Sequence, residues 1–148
     1  ISEEQQETVP QGGERQLKNL SFIDYEGNTV ELADFAGKPL VINAWAAWCP
    51  FCVKELPDFA TLQKEFPEAM VIAINRVESL QTAKSYTDDL GVSEDLLFLL
   101  DHSDSFYKSI GAFTMPETIF VDAQGIIQDH KRGPMDVGEM KQRMEMIL

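Results

Sequence analysis

The chain has 148 residues, 44% hydrophobic and 25% charged, enough to build one globular domain around a substantial core. Twenty-five acidic against twelve basic residues give a formal net charge of −13. That balance excludes a nucleic-acid-binding surface, because phosphate contacts need clustered Lys and Arg. Its only cysteines, Cys49 and Cys52, are too close in sequence to staple distant parts of a fold, so stability must come from packing.

The first sixteen residues (ISEEQQETVPQGGERQ) are polar, carry Pro10, Gly12 and Gly13, and lack apolar periodicity. They are expected to form a flexible tail ahead of a domain spanning 17–148. The first residue is Ile1, which is read as a processed or deliberately trimmed start, and a tail of this kind is compatible with a removed leader or membrane anchor. The longest apolar stretch, residues 39–51, is broken by Asn43 and falls short of the roughly 20 residues of a membrane span.

Residues 20–24 and 29–32 flank a Glu26-Gly27-Asn28 turn, a β-hairpin pattern. Residues 39–45 read as a strand covered on both faces. From there the period changes. Cys52, Leu56, Phe59, Leu62 and Phe66 are spaced as one stripe of an amphipathic helix that starts near Pro50 and is kinked at Pro57. Residues 70–74 form a second buried strand. Leu80, Ala83, Tyr86 and Leu90 predict the buried face of a helix stopped by Gly91. Residues 96–100 read as a third strand, and Phe106, Tyr107 and Ile110 as a short helix ended by Gly111. Residues 118–121 and 126–130 flank a turn at 122–125, and Val137, Met140, Met144 and Ile147 close the chain as a helix. Strands alternating with helices imply an α/β fold with a parallel sheet centre, to which the late hairpin adds an antiparallel edge.

Cys49 falls where the buried strand meets the helix opening at Pro50. Unpaired amides and the positive end of the helix dipole favour thiolate there, so Cys49 is expected to be the nucleophile. Cys52, three residues on, shares its helix face and is placed to resolve a mixed disulfide. A structural zinc site needs four ligands, and only the distant His102 and His130 are available to join the cysteines. A Cys-x-x-Cys at the strand-to-helix junction of a βαβ pattern therefore points to redox chemistry, with no metal and no organic cofactor.

Trp48-Cys49-Pro50-Phe51-Cys52 at this junction resembles the thioredoxin active site, and Pro57 matches the helix proline of that family. Thr114-Met115-Pro116 before a late strand resembles the family's cis-proline loop, which implies a cis bond facing the dithiol and a place for substrate backbone. The opening hairpin, the run Lys-Pro-Leu-Val-Ile-Asn-Ala-Trp at 38–45 and the pattern Cys-x-x-Cys-x-x-Glu-x-Pro at 49–57 are similar to the TlpA/ResA/CcmG group. Cys-Pro-x-Cys and Pro116-Glu117-Thr118 are similar to the CcmG type in particular. The resemblance runs from about residue 17 to the end. It implies a thioredoxin-like fold, a mixed sheet flanked by helices with an added N-terminal hairpin. It also implies an extracytoplasmic, often membrane-tethered reductant in cytochrome c maturation, acting on protein dithiols and disulfides and recharged by an electron-donor protein.

Where thioredoxin carries a buried acid six residues before the first cysteine, this chain has Asn43, which cannot titrate. The resemblance makes Glu55 the replacement, one helical turn beyond Cys52, although spacing alone allows it to be one more acid on a solvated face. Trp48 is expected to cover one side of the dithiol, with Pro50, Phe51, Met115 and Pro116 completing a substrate-binding patch. Glu117 is expected either to tune the site or contact a partner, or to lie at the surface. Trp45 is read as core, and His102 and His130 as surface or turn residues without a role. A peroxidase of the peroxiredoxin kind needs a Thr-x-x-Cys setting, and position 46 is Ala. A non-catalytic interaction domain needs neither the Cys pair nor Pro116 and Glu55. The protein is taken to be a monomer.

Overall fold

The computed structural model describes residues 15–148. In chain order the elements are β1 (Ser21–Asp24), β2 (Thr29–Glu31), a 3-10 turn (Leu32–Phe35), β3 (Leu40–Trp45), α1 (Pro50–Glu65), β4 (Met70–Arg76), α2 (Leu80–Leu90), β5 (Leu97–Asp101), α3 (Ser105–Ser109), β6 (Glu117–Val121), β7 (Ile127–Arg132) and α4 (Val137–Met144). Seven strands form one sheet in the order β2-β1-β5-β4-β3-β6-β7. The centre, β3 with β4 and β4 with β5, is parallel, while β1 and β6 join it antiparallel. The α/β expectation therefore holds, with the early hairpin at one edge and the late hairpin at the other.

β3 shows why. All six of its residues are buried, and successive side chains point to opposite faces. Val41 and Trp45 join Cys52, Leu56, Phe59, Phe98, Phe120 and Met140 in one core. Leu40, Ile42 and Ala44 join Phe22, Leu32, Leu99, Phe106 and Ile119 in the other. Helices α1 and α4 cover the first face, and the 3-10 turn and α3 contribute to the second. Trp45 is fully buried, edge-on to Phe98 with ring centroids 6.2 Å apart.

Two local expectations are corrected. Leu32, read as the end of a strand, instead opens the 3-10 turn, whose amide at Ala33 is held by the Asn19 side chain at 2.9 Å. In α2 the buried face is Ala83 and Thr87, while Leu80 and Tyr86 lie exposed. Thr87 replaces Tyr86 on the inner face because its hydroxyl is satisfied there, 3.1 Å from the Tyr25 hydroxyl and 2.6 Å from that of Ser93. Gly91 ends α2 in the left-handed region at φ 73°, as its position predicted.

Arg15 O accepts from the Ile127 amide at 2.7 Å and Gln16 bridges Ile126. The chain thus joins the sheet inside the segment expected to be tail, whose remaining residues 1–14 lie outside the described ones. Among the described residues no helix is long and apolar enough to cross a membrane.

Candidate active site

The chain leaves β3 at Trp45 and enters α1 at Pro50, so Cys49 becomes the N-cap residue. Its extended backbone (φ −103°, ψ 104°) aims the side chain at the first turn, where Sγ accepts from the Cys52 amide at 3.2 Å. Its carbonyl accepts from the amides of Cys52 and Val53, both at 3.1 Å. Proline at the first helical position has no amide to leave unsatisfied, and the first turn carries no acid to oppose a thiolate. Cys49 and Cys52 form a disulfide with their Cα atoms 5.3 Å apart. Cys52 is fully buried and Cys49 nearly so. Helix α1 continues through Pro57.

Glu55 lies one turn further along α1 and is only 3% exposed. Its Oε2 accepts from the Met135 amide at 2.7 Å, and Oε1 lies 3.4 Å from Asn43 Nδ2, which also donates to Thr118 Oγ1 at 3.1 Å. Asn43 and Thr118 are opposite each other in the β3–β6 register and both are fully buried. Burial pushes the Glu55 carboxyl up to about 8, helped by Asp58 and Glu139 and opposed by the Met135 amide and Lys131. Such a group is protonated at neutral pH yet within reach of ionisation, the property a proton donor and acceptor for a neighbouring thiol requires. The solvated-face alternative for Glu55 is excluded by its burial.

The Met115–Pro116 bond is cis. Met115 is half-buried and packs against the core that holds the dithiol, while Pro116 is buried. The loop in front of them is pinned by Glu117. This carboxylate is fully buried, not at the surface, and accepts from the Phe113 amide at 2.7 Å and the Thr114 amide at 2.8 Å. It also meets His130 Nε2 at 2.6 Å and Arg132 Nη1 at 2.8 Å. Burial alone would raise the Glu117 carboxyl, but these two amides, His130 and Arg132 outweigh it and hold it below the usual carboxylate range. His130 is accordingly a partly buried strand residue paired with an acid, not a turn residue.

A sequence model of the family described as Redoxin matches residues 10–148. The chain belongs to the Redoxin family. It is 29% identical over 134 residues to the thiol-disulfide oxidoreductase ResA of Halalkalibacterium halodurans, covering 89% of this chain and 75% of that one. It is 34% identical over 123 residues to the thiol:disulfide interchange protein DsbE of Haemophilus influenzae, covering 82% and 65%. The solved structure of MTB dsbF in its mixed oxidized and reduced forms superposes with a TM-score of 0.81 at 26% identity, covering 95% and 100%. With its Cys49–Cys52 disulfide, this redoxin is a thiol–disulfide oxidoreductase of the ResA/DsbE type with a thioredoxin-like fold.

This redoxin exposes large apolar side chains next to the cysteines in sequence and in the loop before the cis proline. Trp48 is 64% exposed, Phe51 60% and Phe113 75%. Beside α1 an open groove is lined by Trp48, Pro50, Val53, Pro57, Tyr86 and Leu90. Phe113 escaped the sequence reading, although its place two residues before Met115 was a usable signal. Arg132 lies over its ring at 4.2 Å, which ties the aromatic to the Glu117 cluster.

Proposed function

We propose that this redoxin acts as an extracytoplasmic reductant of selected partner proteins, of the kind that serve cytochrome c maturation, working as a monomeric domain in which Arg15 and Gln16 join residues 17–148. The observation that carries the reading is the pairing of two environments along one helix. Cys49 caps the α1 N-terminus, and the buried Glu55 follows one turn beyond Cys52. The compartment and the cytochrome c pathway rest on the resemblance of the Cys-x-x-Cys-x-x-Glu-x-Pro and Pro-Glu-Thr motifs to the TlpA/ResA/CcmG group.

In the reduced protein the Cys49 thiolate attacks a partner disulfide, forming a mixed disulfide and releasing one partner thiolate. Glu55 as carboxylate takes the Cys52 proton, and the Cys52 thiolate attacks Cys49 Sγ. That step releases the second partner thiolate and leaves the Cys49–Cys52 disulfide, so two electrons pass to the partner. In the return direction the dithiol of an electron-donor protein opens the disulfide at Cys49. Cys52 leaves as thiolate and takes the Glu55 proton. Trp48, Pro50, Phe51, Met115 and Pro116 supply the substrate-facing surface, and no cofactor is needed.

Cys52→Ala tests this reading, because it removes the resolving thiol and stalls the reaction at the mixed disulfide. In cells of the source organism it should accumulate dithiothreitol-sensitive adducts with extracytoplasmic proteins that Cys49→Ala does not form. Adducts with cytochrome c apoproteins or their handlers support the specific pathway; the absence of any adduct sinks the reading. A reductant also requires a reduction potential below that of the partner disulfide it reduces, which equilibration of the two proteins in thiol–disulfide buffers measures.

A further inference from the structure

We propose that Glu78 is a positioning residue for the dithiol: it holds the loop at residues 46–48 by the Ala47 amide and so keeps Cys49 at the N-terminus of α1. The proposal rests on the reading of Cys49 as the attacking thiol. Ala47 N donates to Glu78 Oε1 at 2.8 Å, and the same oxygen accepts from Asn75 Nδ2 at 2.8 Å. The Glu78 amide donates back to Asn75 Oδ1 at 3.1 Å, closing a reciprocal pair between the end of β4 and the residue three further on. Asn75 is buried and stands opposite Trp45 in the parallel β3–β4 register, so the pair sits where β3 leads into the dithiol loop.

The backbone between them is bent to make this contact. Val77 adopts φ 68°, in the left-handed region that a β-branched residue rarely enters. Its side chain is 56% exposed, so packing does not account for the conformation. The left-handed turn folds the chain back at the end of β4, its amide bonded to Asp101 O at 3.0 Å, and brings the Glu78 carboxylate to Ala47. Strain of this kind persists where neighbouring contacts over-determine it, and it concentrates at functional sites. The preceding residue extends the same tie to the opposite wall. Arg76 pairs with Asp104 at 2.7 Å and lies 3.4 Å from the centroid of the Tyr107 ring, whose hydroxyl donates to Thr114 O at 2.8 Å. One segment, 75–79, is thus bonded to the dithiol loop directly and to the cis-proline loop through Arg76 and Tyr107.

Ala47 is two residues before Cys49, and Cys49 N donates to Ala46 O at 3.1 Å, so the loop has little slack. If the Ala47 anchor is withdrawn, Cys49 Sγ moves relative to the helix amides that stabilise its thiolate. Two variants separate hydrogen-bond positioning from charge. Glu78→Gln keeps an acceptor at the same reach and removes the charge; Glu78→Asp keeps the charge and withdraws the oxygen.

The experiment is the pH profile of alkylation of each cysteine in the reduced full chain, with thermal unfolding as the check on folding. Glu78→Asp is expected to slow Cys49 alkylation at pH 7 by about tenfold or more and to move its midpoint upward. Glu78→Gln is expected to stay within about twofold of the parent protein, on the same physical ground that the acceptor is retained. Unchanged rates in both variants, or slowing by Gln as large as by Asp, overturn the proposal while leaving Cys49 as the nucleophile. Equal alkylation of Cys49 and Cys52 in the parent protein instead overturns the reading of Cys49, and this inference with it.

Discussion

The backbone amide of Met135 donates to the Glu55 carboxylate at 2.7 Å, across 80 residues of sequence. The segment between β7 and α4 therefore caps the acid that α1 places beyond Cys52, closing this carboxyl off from water. Asn43 and Thr118 complete the enclosure from β3 and β6. A carboxyl gains its raised proton affinity from this enclosure, because desolvation penalises the charge more than one amide restores.

That affinity has a measurable consequence for stability. Glu55 takes up its proton near 8 in the folded protein and near the ordinary 4.5 when unfolded. Between those values the folded state holds the extra proton, so the stabilisation from this group is complete below about 4.5 and is lost as pH rises through 8. In the oxidised protein, urea unfolding of Glu55→Gln should show a flatter loss of stability from pH 5 to pH 9 than the parent, by a few kcal/mol across the range. Parallel curves would mean that the carboxyl is already ionised when folded. The same substitution should remove a pH-dependent limb near 8 from the rate of disulfide exchange.

Glu117 works with the opposite sign. Its folded carboxyl is held below the usual range, so its contribution is present above the ordinary carboxylate value and is lost as pH falls through the folded one. Arg132 is 37% exposed, so solvent screens that ion pair and the Phe113 and Thr114 amides carry more of the effect. Glu117→Ala should cost roughly 2–4 kcal/mol at pH 7, because it leaves two loop amides and a partly buried cation without their acceptor. The difference from the parent should narrow by pH 3 in the same urea titration; a gap that stays constant would assign the loss to packing alone.

The contrast between these two acids shows what a sequence carries. Cys49 and Cys52 were legible because the change from strand to helix period marks the junction, and the stripe Cys52, Leu56, Phe59 and Leu62 is buried as spaced. Glu117 was not, because its partners Phe113, His130 and Arg132 come from a loop and a neighbouring strand, and only pairing brings them together. In α2, periodicity chose Tyr86 for the interior by its apolar ring. The sheet instead took Thr87, whose hydroxyl found partners in Tyr25 and Ser93, and left Tyr86 beside Trp48.

Phe113 is the most exposed of the large apolar side chains among the described residues, and its part in partner docking can be tested. At 75% exposure its removal gives up little core, only the contact with Arg132, on the order of 0.5–1 kcal/mol. Phe113→Ala should therefore leave thermal unfolding nearly unchanged and preserve the rate with a small disulfide such as oxidised dithiothreitol. The rate with a protein disulfide should fall several-fold, expressed in KM more than in kcat. Equal losses with both substrates would place Phe113 in the chemistry of the dithiol instead of in partner docking.

Val77 offers a prediction that runs against the usual expectation that substitutions destabilise. A left-handed conformation costs an L-residue about 1–2 kcal/mol, and Val77 sits at φ 68° with its side chain more than half exposed. Glycine enters that region freely but adds about 0.5–1 kcal/mol of unfolded-chain entropy to be lost on folding. The two terms leave Val77→Gly more stable than the parent by up to about 1 kcal/mol, a rise in Tm of about 1–3 °C for a domain of this size. Differential scanning calorimetry of the oxidised protein measures it. A lower Tm would mean that contacts of the Val77 side chain outweigh the strain, and that the turn at the end of β4 is held from its surface as well as by Asn75, Glu78 and Ala47.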